Sequence, residues 1–401
     1  MIRDIKQLLV LRFLKDKGDR SPLISLFGVF GVLIGVFAII SVMSVMYGFE
    51  DELIKKLIGS QPHIYITDDS TPASLKNWDG IINDIYSNEY LKKSTTSVSP
   101  FVESEAIMYF NNVTVGAVIF GVSEESFSRM KVTGPKHREV IFGEQLGFTN
   151  HVIRNDEVDV LSAWDVATAS SLTPKLRRFK IVDFVRTGAY ARDLKYVYVN
   201  IEDGMRYFTP VKGTPTGVAL FCLDPSNVER VKTQIQKILS KGGSLKIETW
   251  RDRNKRLLYS LKLERVAMFV TLLFIVLVAS FSIIVSLVLM VESKKKDFTI
   301  LLSIGLGKTN LRGVVLYIAI IKGTIGAVSG GILATLFCLL LDKYKFITLP
   351  DIYYDTYLPV HINLWFNAGI VIAAILICIL GAIFPLKMMD KFSLINELRK
   401  N

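Results

Sequence analysis

The residue types that carry catalysis or metal binding are few and scattered in this chain of 401 residues. The three cysteines, Cys222, Cys338 and Cys378, match no metal-binding or disulfide pattern. The histidines show no spacing to a serine, cysteine or carboxylate that would make a catalytic set; they are His63, His137, His151 and His361. We therefore expect a protein that is not an enzyme, with no bound metal and no cofactor.

One stretch ends like a phosphate-binding loop. The residues Gly305 to Thr309 read Gly-Leu-Gly-Lys-Thr, but the first glycine of that motif is replaced by Leu302. A phosphate-binding loop also needs a preceding strand and a nucleotide-binding domain around it, whereas this stretch lies between two apolar runs. We expect that the chain does not bind ATP by itself.

Long apolar runs provide the elements around these residues. Half of the chain is hydrophobic, and the excess is concentrated at 23–47, 266–291, 314–341 and 364–386. Each run reaches the roughly 20 residues that a helix needs to cross a bilayer. The predicted fold is an α-helical membrane bundle of four transmembrane helices. Lys322 is the one charged residue within these runs, and a charge in a membrane span is a candidate functional residue.

The net charge of +11 reflects the flanks of these runs and does not predict nucleic-acid binding. Lysine and arginine are frequent in 1–22, 292–313 and 387–401 and sparse in 342–363. The positive-inside rule makes the three basic segments a cytoplasmic N-terminal segment, a cytoplasmic loop and a cytoplasmic tail. Segments 48–265 and 342–363 then face outward, away from the cytoplasm. The first run lacks a small-residue cleavage site, which favours a retained anchor in contact with membrane lipids over a signal peptide.

The segment 48–265 has the composition of a folded extracytoplasmic domain inserted between helices 1 and 2. Alternating patterns predict strands at 63–67, 106–109, 113–120, 158–161, 179–185, 196–199, 217–222 and 245–249. Helices are predicted at 75–95 and 225–241. We expect an α+β domain from which a β-rich subdomain, about 130–222, is looped out. Helical patterns at 49–58 and 251–264 extend the first two spans into a stalk, and glycines such as Gly323, Gly326 and Gly330 indicate close helix packing.

The cytoplasmic loop predicts a short amphipathic helix from Glu292 to Gly305. Phe298, Leu301 and Leu302 share one face behind Lys294, Lys295, Lys296 and Asp297. The pattern fits a helix lying at the membrane surface and fits equally a helix on which a cytoplasmic partner docks.

Several segments together resemble the permease subunits of lipoprotein-releasing ABC transporters, the LolC/LolE family, within the superfamily of MacB-type and FtsX-type permeases. The resemblance lies in 11–14, 42–53, 59–64, 261–265, 292–305 and the tail 384–399. Its most specific part is 349–360, which contains Leu349-Pro350-Asp351-Ile352-Tyr353-Tyr354 and then Leu358-Pro359-Val360. The similarity covers nearly the whole chain.

This resemblance implies a permease that extracts lipoproteins from the outer leaflet of the inner membrane for delivery towards the outer membrane. It implies a LolD-like ABC ATPase as a separate subunit and a second permease subunit, identical or paralogous. The 294–312 loop, with Lys294, Lys295, Lys296, Asp297, Phe298, Leu301 and Gly305, becomes the expected ATPase contact.

The exit of the first span offers an apolar surface suited to acyl chains. Val42, Met43, Met46 and Phe49 lie there, and thioethers adapt to variable apolar ligands. Packing between helices explains these residues as well, and more simply. The resemblance implies a lipoprotein-binding role for Met46 in particular.

A hairpin that recruits a periplasmic LolA-like chaperone in some family members is altered here. The family form runs from Thr-Pro through several residues to a basic pair and an aromatic residue. This chain passes almost directly from Thr173 and Pro174 through Lys175 and Leu176 to Arg177 and Arg178. An ordinary basic turn explains the sequence too, so these residues are a chaperone-contact candidate.

Two other functions remain open from the sequence. One is a MacB-like exporter of peptides or drugs, and the other is an FtsX-like transmembrane scaffold that controls cell-wall hydrolases. The motif at 349–360 favours lipoprotein release over both.

Overall fold

A computed structural model describes residues 21–69, 74–111, 113–130, 132–167, 175–239, 245–304, 306–345, 347–348 and 357–388, and only the backbone of 21–27 and 388. The helices are α1 Ser21–Ser60, α2 Trp78–Ser87, α3 Glu89–Ser94, α4 Glu124–Arg129, α5 Glu144–Thr149, α6 Ala163–Ala167, α7 Tyr190–Asp193, α8 Ile201–Tyr207, α9 Val228–Leu239, α10 Trp250–Arg253, α11 Lys255–Ser293, α12 Lys295–Ser303, α13 Lys308–Tyr344 and α14 Leu364–Met388. The strands are β1 Ile64–Asp68, β2 Thr95–Phe110, β3 Val113–Val122, β4 Glu139–Gly143, β5 Glu157–Ser162, β6 Arg177–Val185, β7 Tyr196–Asn200, β8 Gly217–Cys222 and β9 Leu245–Thr249.

The chain divides into two compact units. The helical unit contains the described residues of 1–51, 261–348 and 357–401, and the mixed unit contains those of 52–260. Within the described residues, four helices are long and apolar enough to cross a membrane: Gly28–Ser60, Lys255–Ser293, Lys308–Tyr344 and Leu364–Lys387. The prediction of four apolar spans is therefore confirmed.

Close backbone approach holds the helical unit together. A Cβ added at Gly326 would lie 2.8 Å from the carbonyl oxygen of Val29, and one added at Gly330 would lie 2.6 Å from that of Leu33. Only glycine permits α13 to approach α1 so closely, which agrees with the predicted role of these glycines in helix packing. Gly369 on α14 is not part of a close contact, because a Cβ there would meet no atom within 4 Å.

The mixed unit contains two sheets that share the long strand β2. The first half of β2 pairs with β8, followed by β1 and β9, in an antiparallel sheet. Helices α2, α3 and α9 bury apolar side chains in the same core as this sheet, among them Ile81, Ile85, Leu91, Val231 and Ile235. The second half of β2 joins β5, β6, β4, β7 and β3, and the β2–β3 pairing closes these six strands into a ring. Its core includes Phe142, Val158, Val160, Phe179 and Val197.

Each predicted strand of this unit is present, and both predicted helical regions are helical, although 75–95 contains two helices, α2 and α3. Strand β4 and the short helices α4 to α8 were not predicted. The arrangement of the elements also differs from the prediction. Strand β8 was expected within the β-rich segment 130–222, but it pairs with β1 in the other sheet. The ring instead recruits the end of β2 and all of β3. A capping box of Thr249 and Asp252 begins α10, and the helical pattern at 251–264 is interrupted at Asn254, whose φ of −100° and ψ of 18° are not helical.

Candidate functional site

A close contact marks the end of the helical unit where α1 leaves the core. A Cβ added at Gly48 would lie 2.5 Å from the carbonyl oxygen of Pro359 and 2.7 Å from Cα of Val360. The backbone N–H of His361 donates to the carbonyl oxygen of Ser44 at 2.9 Å. The segment 357–363 therefore lies directly on the α1 backbone, and Gly48 is required because a side chain there would collide with main-chain atoms.

Charged and aromatic groups surround the same part of α1. Arg265 Nη1 on α11 lies 3.1 Å from Glu50 Oε2, and the guanidinium stands 5.3 Å from the centre of the Tyr47 ring. Tyr47 in turn meets Phe366 of α14 edge to face at 5.3 Å. These contacts connect three helices at one end of the unit, which we call the α1 exit and define as residues 41–51, 265 and 357–367.

The predicted lipoprotein-binding residues lie at the α1 exit but do not form one exposed surface. Val42 is 40% exposed, whereas Met43 and Met46 are only 1% and 7% exposed and Phe49 is half-buried. Because α1 is a helix, successive side chains point in different directions. Both methionines are buried, and Met43 belongs to the core of the helical unit. A ligand could reach them only if neighbouring helices separated.

Two buried polar side chains at the α1 exit were missed by sequence reasoning. Ser41 and Asn367 are each 6% exposed. Within the described part of the chain, neither amide atom of Asn367 has a hydrogen-bond partner, whereas the Ser41 hydroxyl lies beside the Cys338 thiol. A buried polar group without a partner costs about 1–3 kcal/mol. A polar residue inside an apolar run, such as Asn367 in 364–386, was the available signal.

Lys322 faces the interior of the helical unit. It is 3% exposed, and its Nζ donates to the hydroxyl of Ser286 on α11 at 3.2 Å. No ion pair involves Lys322 among the residues with described positions. The charge therefore relies on a neutral hydroxyl from the adjacent helix.

The predicted amphipathic helix is α12, and its apolar face is buried against the helical unit. Phe298 is 3% exposed in the same core as α11 and α13, and Leu301 packs against that core. Lys294 Nζ lies 3.6 Å from Asp297 Oδ2, and Lys295 Nζ lies 3.6 Å from Glu292 Oε1. The exposed side chains include Lys296, Asp297, Ile300 and Ile304, the last two at 58% and 78%. Gly305 lies outside the described residues.

The arginines of the predicted chaperone contact are already paired. Arg177 binds Asp165 and lies over the Tyr207 ring at 5.2 Å. Arg178 donates twice to Asp159, at 2.9 and 3.1 Å, and these hydrogen bonds lower the pKa of that carboxyl group. Lys175 and Leu176 are exposed. Thr173 and Pro174 lie outside the described residues, as do the family motif at 349–356 and the segments 1–20 and 389–401.

Comparison with known proteins places these features in context. Residues 269–394 match the family described as FtsX-like permease C-terminal. The chain is 24% identical over 361 residues to the lipoprotein-releasing system transmembrane protein LolC of Xylella fastidiosa. The aligned region covers 85% of each chain. It is 19% identical over 394 residues to the corresponding protein LolE of Haemophilus influenzae, covering 92% of this chain and 93% of that one.

A solved structure, the periplasmic region of MacB from Actinobacillus actinomycetemcomitans, is 13% identical, with a TM-score of 0.32. It covers 49% of this chain and 93% of that chain. A similarity of this size supports no conclusion about this protein.

Proposed function

We propose a function from the premise that this chain belongs to the LolC/LolE family of transmembrane proteins: it is the permease subunit of an ABC transporter that extracts lipoproteins from the inner membrane. Similarity to LolC and LolE proteins over 85–92% of the chain carries the proposal. The ATP-hydrolysing subunit is a separate LolD-like protein, and a second permease, identical or paralogous, completes the transporter.

The substrate path runs through the α1 exit. Met43 and Met46 are buried, so the acyl chains reach them when neighbouring helices separate. Separation breaks the Arg265–Glu50 pair and the contact of Gly48 with the segment 357–363. The unpartnered amide of Asn367 then offers hydrogen bonds to polar groups of the acylated substrate.

The ATPase docks on the exposed face of α12. Of the residues expected to contact the ATPase, Phe298 and Leu301 pack against the core of the helical unit and are not available for docking. The exposed face of α12 consists of Lys296, Asp297, Ile300 and Ile304. An exposed apolar pair flanked by charges is suited to a protein contact. The paired Arg177 and Arg178 are poorly suited to capture a chaperone, so Lys175 and Leu176 remain for such a contact.

Reconstitution tests the proposal. The protein is placed in liposomes with its cognate ATPase and a fluorescent triacylated lipoprotein, and release is followed by flotation. We expect release that requires ATP and is absent with a hydrolysis-deficient ATPase. If lipoprotein stays in the liposomes in the presence of ATP, the proposed function is wrong.

Two methionine variants test the substrate path. Met46→Ala and Met290→Ala both truncate buried methionines of the helical unit, which are 7% and 8% exposed. Each substitution costs about 2–5 kcal/mol of stability. We expect photocrosslinking of lipoprotein to fall only in Met46→Ala. Met290 lies beside α12, at the opposite end of α11 from Arg265 of the α1 exit, so it is not on the proposed substrate path. Equal loss in both variants would show that Met46 acts through stability alone.

A further inference from the structure

A small cavity in the mixed unit lies where the end of α1 meets both sheets. Its volume is about 30 Å³, and about 10–15 Å³ is enough for one water molecule. Strands β2, β3, β7 and β8, together with α4 and α7, contribute its walls. Its polar lining includes Arg129, Arg192, Tyr198, Ser60, Ser99 and Ser126.

Arg192 brings a positive charge to the cavity, and none of its partners among the described residues is acidic. Its Nε donates to the Tyr198 hydroxyl at 3.2 Å, and Nη1 donates to Gln61 Oε1 at 3.4 Å. The guanidinium also stacks on the rings of Tyr196 and Phe120, with its carbon 4.4 and 5.1 Å from the ring centres. None of these partners carries a negative charge, and no ion pair of Arg192 exists among the described residues.

The acids near Arg192 are occupied by other groups. Asp193 accepts hydrogen bonds from the backbone N–H and the hydroxyl of Thr187. Glu103 binds Arg253 at 2.8 Å and accepts from the Tyr196 hydroxyl at 3.1 Å. In the described part of the chain, no aspartate or glutamate lines the cavity.

The remaining polar groups of the cavity are hydrogen-bond donors or neutral hydroxyls. Burial raises the pKa of the Tyr198 phenol, so this group stays neutral and keeps a proton to donate. Ser99 is 8% exposed and adds a hydroxyl. The guanidinium carbon of Arg129 lies 4.4 Å from the centre of the Phe221 ring. Its Nη2 lies 3.4 Å from Oε1 of the partly exposed Glu125. Next to the cavity, Gln61 is 7% exposed, and its Nε2 has no acceptor among the described residues.

We infer that this cavity binds a carboxylate group, held by Arg192 and Tyr198 with Arg129 and the serine hydroxyls around it. An arginine beside neutral donors recognises a planar oxyanion through charge-assisted hydrogen bonds. A carboxylate fits the small volume and the aromatic walls formed by Phe101, Phe120 and Phe221 better than a bulkier tetrahedral anion. Its source is either a free small carboxylate or the terminus of a peptide.

Binding would stabilise the junction within the mixed unit. Ser60 and Pro62 come from the end of α1 and the turn after it, Ser99 from the four-stranded sheet, and Tyr198 from the ring. A bound carboxylate would connect these three parts through hydrogen bonds. The site therefore provides a means by which a ligand could stiffen the mixed unit.

Saturation-transfer NMR on the full-length protein in detergent tests the inference with sodium acetate as the probe. We expect saturable acetate binding that weakens about tenfold in Arg192→Gln and about fivefold in Tyr198→Phe, as the loss of one charged or neutral hydrogen bond predicts. Arg192→Lys should bind with intermediate affinity because it keeps the charge and loses the fork geometry. Arg154→Gln is the matched control, since Arg154 is an exposed arginine paired with Asp183.

A second arm identifies the source of the carboxylate. A short peptide with a free C-terminus, or the same peptide as a C-terminal amide, is added to the protein with acetate bound, and the loss of the acetate saturation-transfer signal is measured. Displacement by the acid alone indicates a peptide terminus, whereas acetate binding without displacement indicates a free small carboxylate. The inference is overturned if acetate does not bind saturably, or if Arg192→Gln and Arg154→Gln bind it equally while both keep the wild-type thermal midpoint.

Discussion

His63 is held in one neutral form by two backbone groups. The N–H of Cys222 donates to Nδ1 at 2.9 Å, so Nδ1 must be unprotonated, and Nε2 lies 3.2 Å from the carbonyl oxygen of Ile58. Burial lowers the pKa of this histidine below its ordinary value of 6.5. The ring therefore connects β8 to the end of α1 only while it is uncharged.

Acidification should weaken this connection. The unfolded chain takes up the proton near pH 6.5, whereas the folded chain takes it up only at a lower pH. The stability contributed by neutral His63 is complete above pH 6.5 and is lost as the pH falls through the lowered pKa. We expect the thermal midpoint to fall between pH 7.5 and 5.5, and to fall less in His63→Gln. The exposed-histidine variant His151→Asn should keep the wild-type slope, and a His63→Gln slope equal to wild type would refute the assignment.

Lys322 and Ser286 form a buried charge–hydroxyl pair between α13 and α11. Removing the hydroxyl leaves a buried ammonium without its partner, which costs about 1–3 kcal/mol or more. Ser286→Ala should therefore lower the thermal midpoint, and adding Lys322→Met should restore much of the loss. Ser280→Ala is the control, because the Ser280 hydroxyl bonds within its own helix to Leu277 at 2.6 Å. Additive losses in the double variant would show that the pair is not coupled.

At the scale of elements, one face of α12 packs against the helical unit, and the other face is exposed for the proposed ATPase contact. Phe298 is buried in the helical unit, whereas Ile300 is 58% exposed two residues later. We expect Phe298→Ala to lower stability by about 3–5 kcal/mol. Ile300→Glu should leave the thermal midpoint unchanged and abolish co-purification of the ATPase. Retained co-purification in Ile300→Glu would place the ATPase contact elsewhere.

Strand β2 shows why one element was only half anticipated. Its second half, from Ala106, alternates between buried and exposed side chains as a strand with one buried face should. Its first half reads Thr-Thr-Ser-Val-Ser-Pro and lacks that alternation. Pairing with β8 makes this polar stretch a strand. Tertiary context therefore supplied what local pattern did not.

At the scale of the whole molecule, the proposed orientation can be tested by labelling. Cys222, Cys338 and Cys378 are all buried, so a background that lacks them carries single cysteines at chosen positions. Phe148, 77% exposed in the mixed unit, and Lys296, exposed on α12, are suitable. An impermeant maleimide should label Phe148→Cys in spheroplasts and Lys296→Cys only after permeabilisation. The reverse pattern would invert the topology.

The sequence by itself determined the four spans and the α+β character of the long insert. Both follow from local patterns: runs of about 20 apolar residues meet the thickness of a bilayer, and short alternating segments meet the geometry of a half-buried strand. The basic flanks also predicted an orientation, and a motif-level resemblance predicted the family.

Only the tertiary structure decided which side chains meet. The sequence left Met43 and Met46 open between helix packing and a ligand surface, and Phe298 open between a membrane-surface helix and a docking helix. The structure buries all three. It also brought Arg192 beside Tyr198 in a cavity that no described aspartate or glutamate lines. It placed Gly48 against Pro359, which is distant in the sequence. Periodicity defines a face of a helix or strand, whereas the packing of distant segments decides what covers that face.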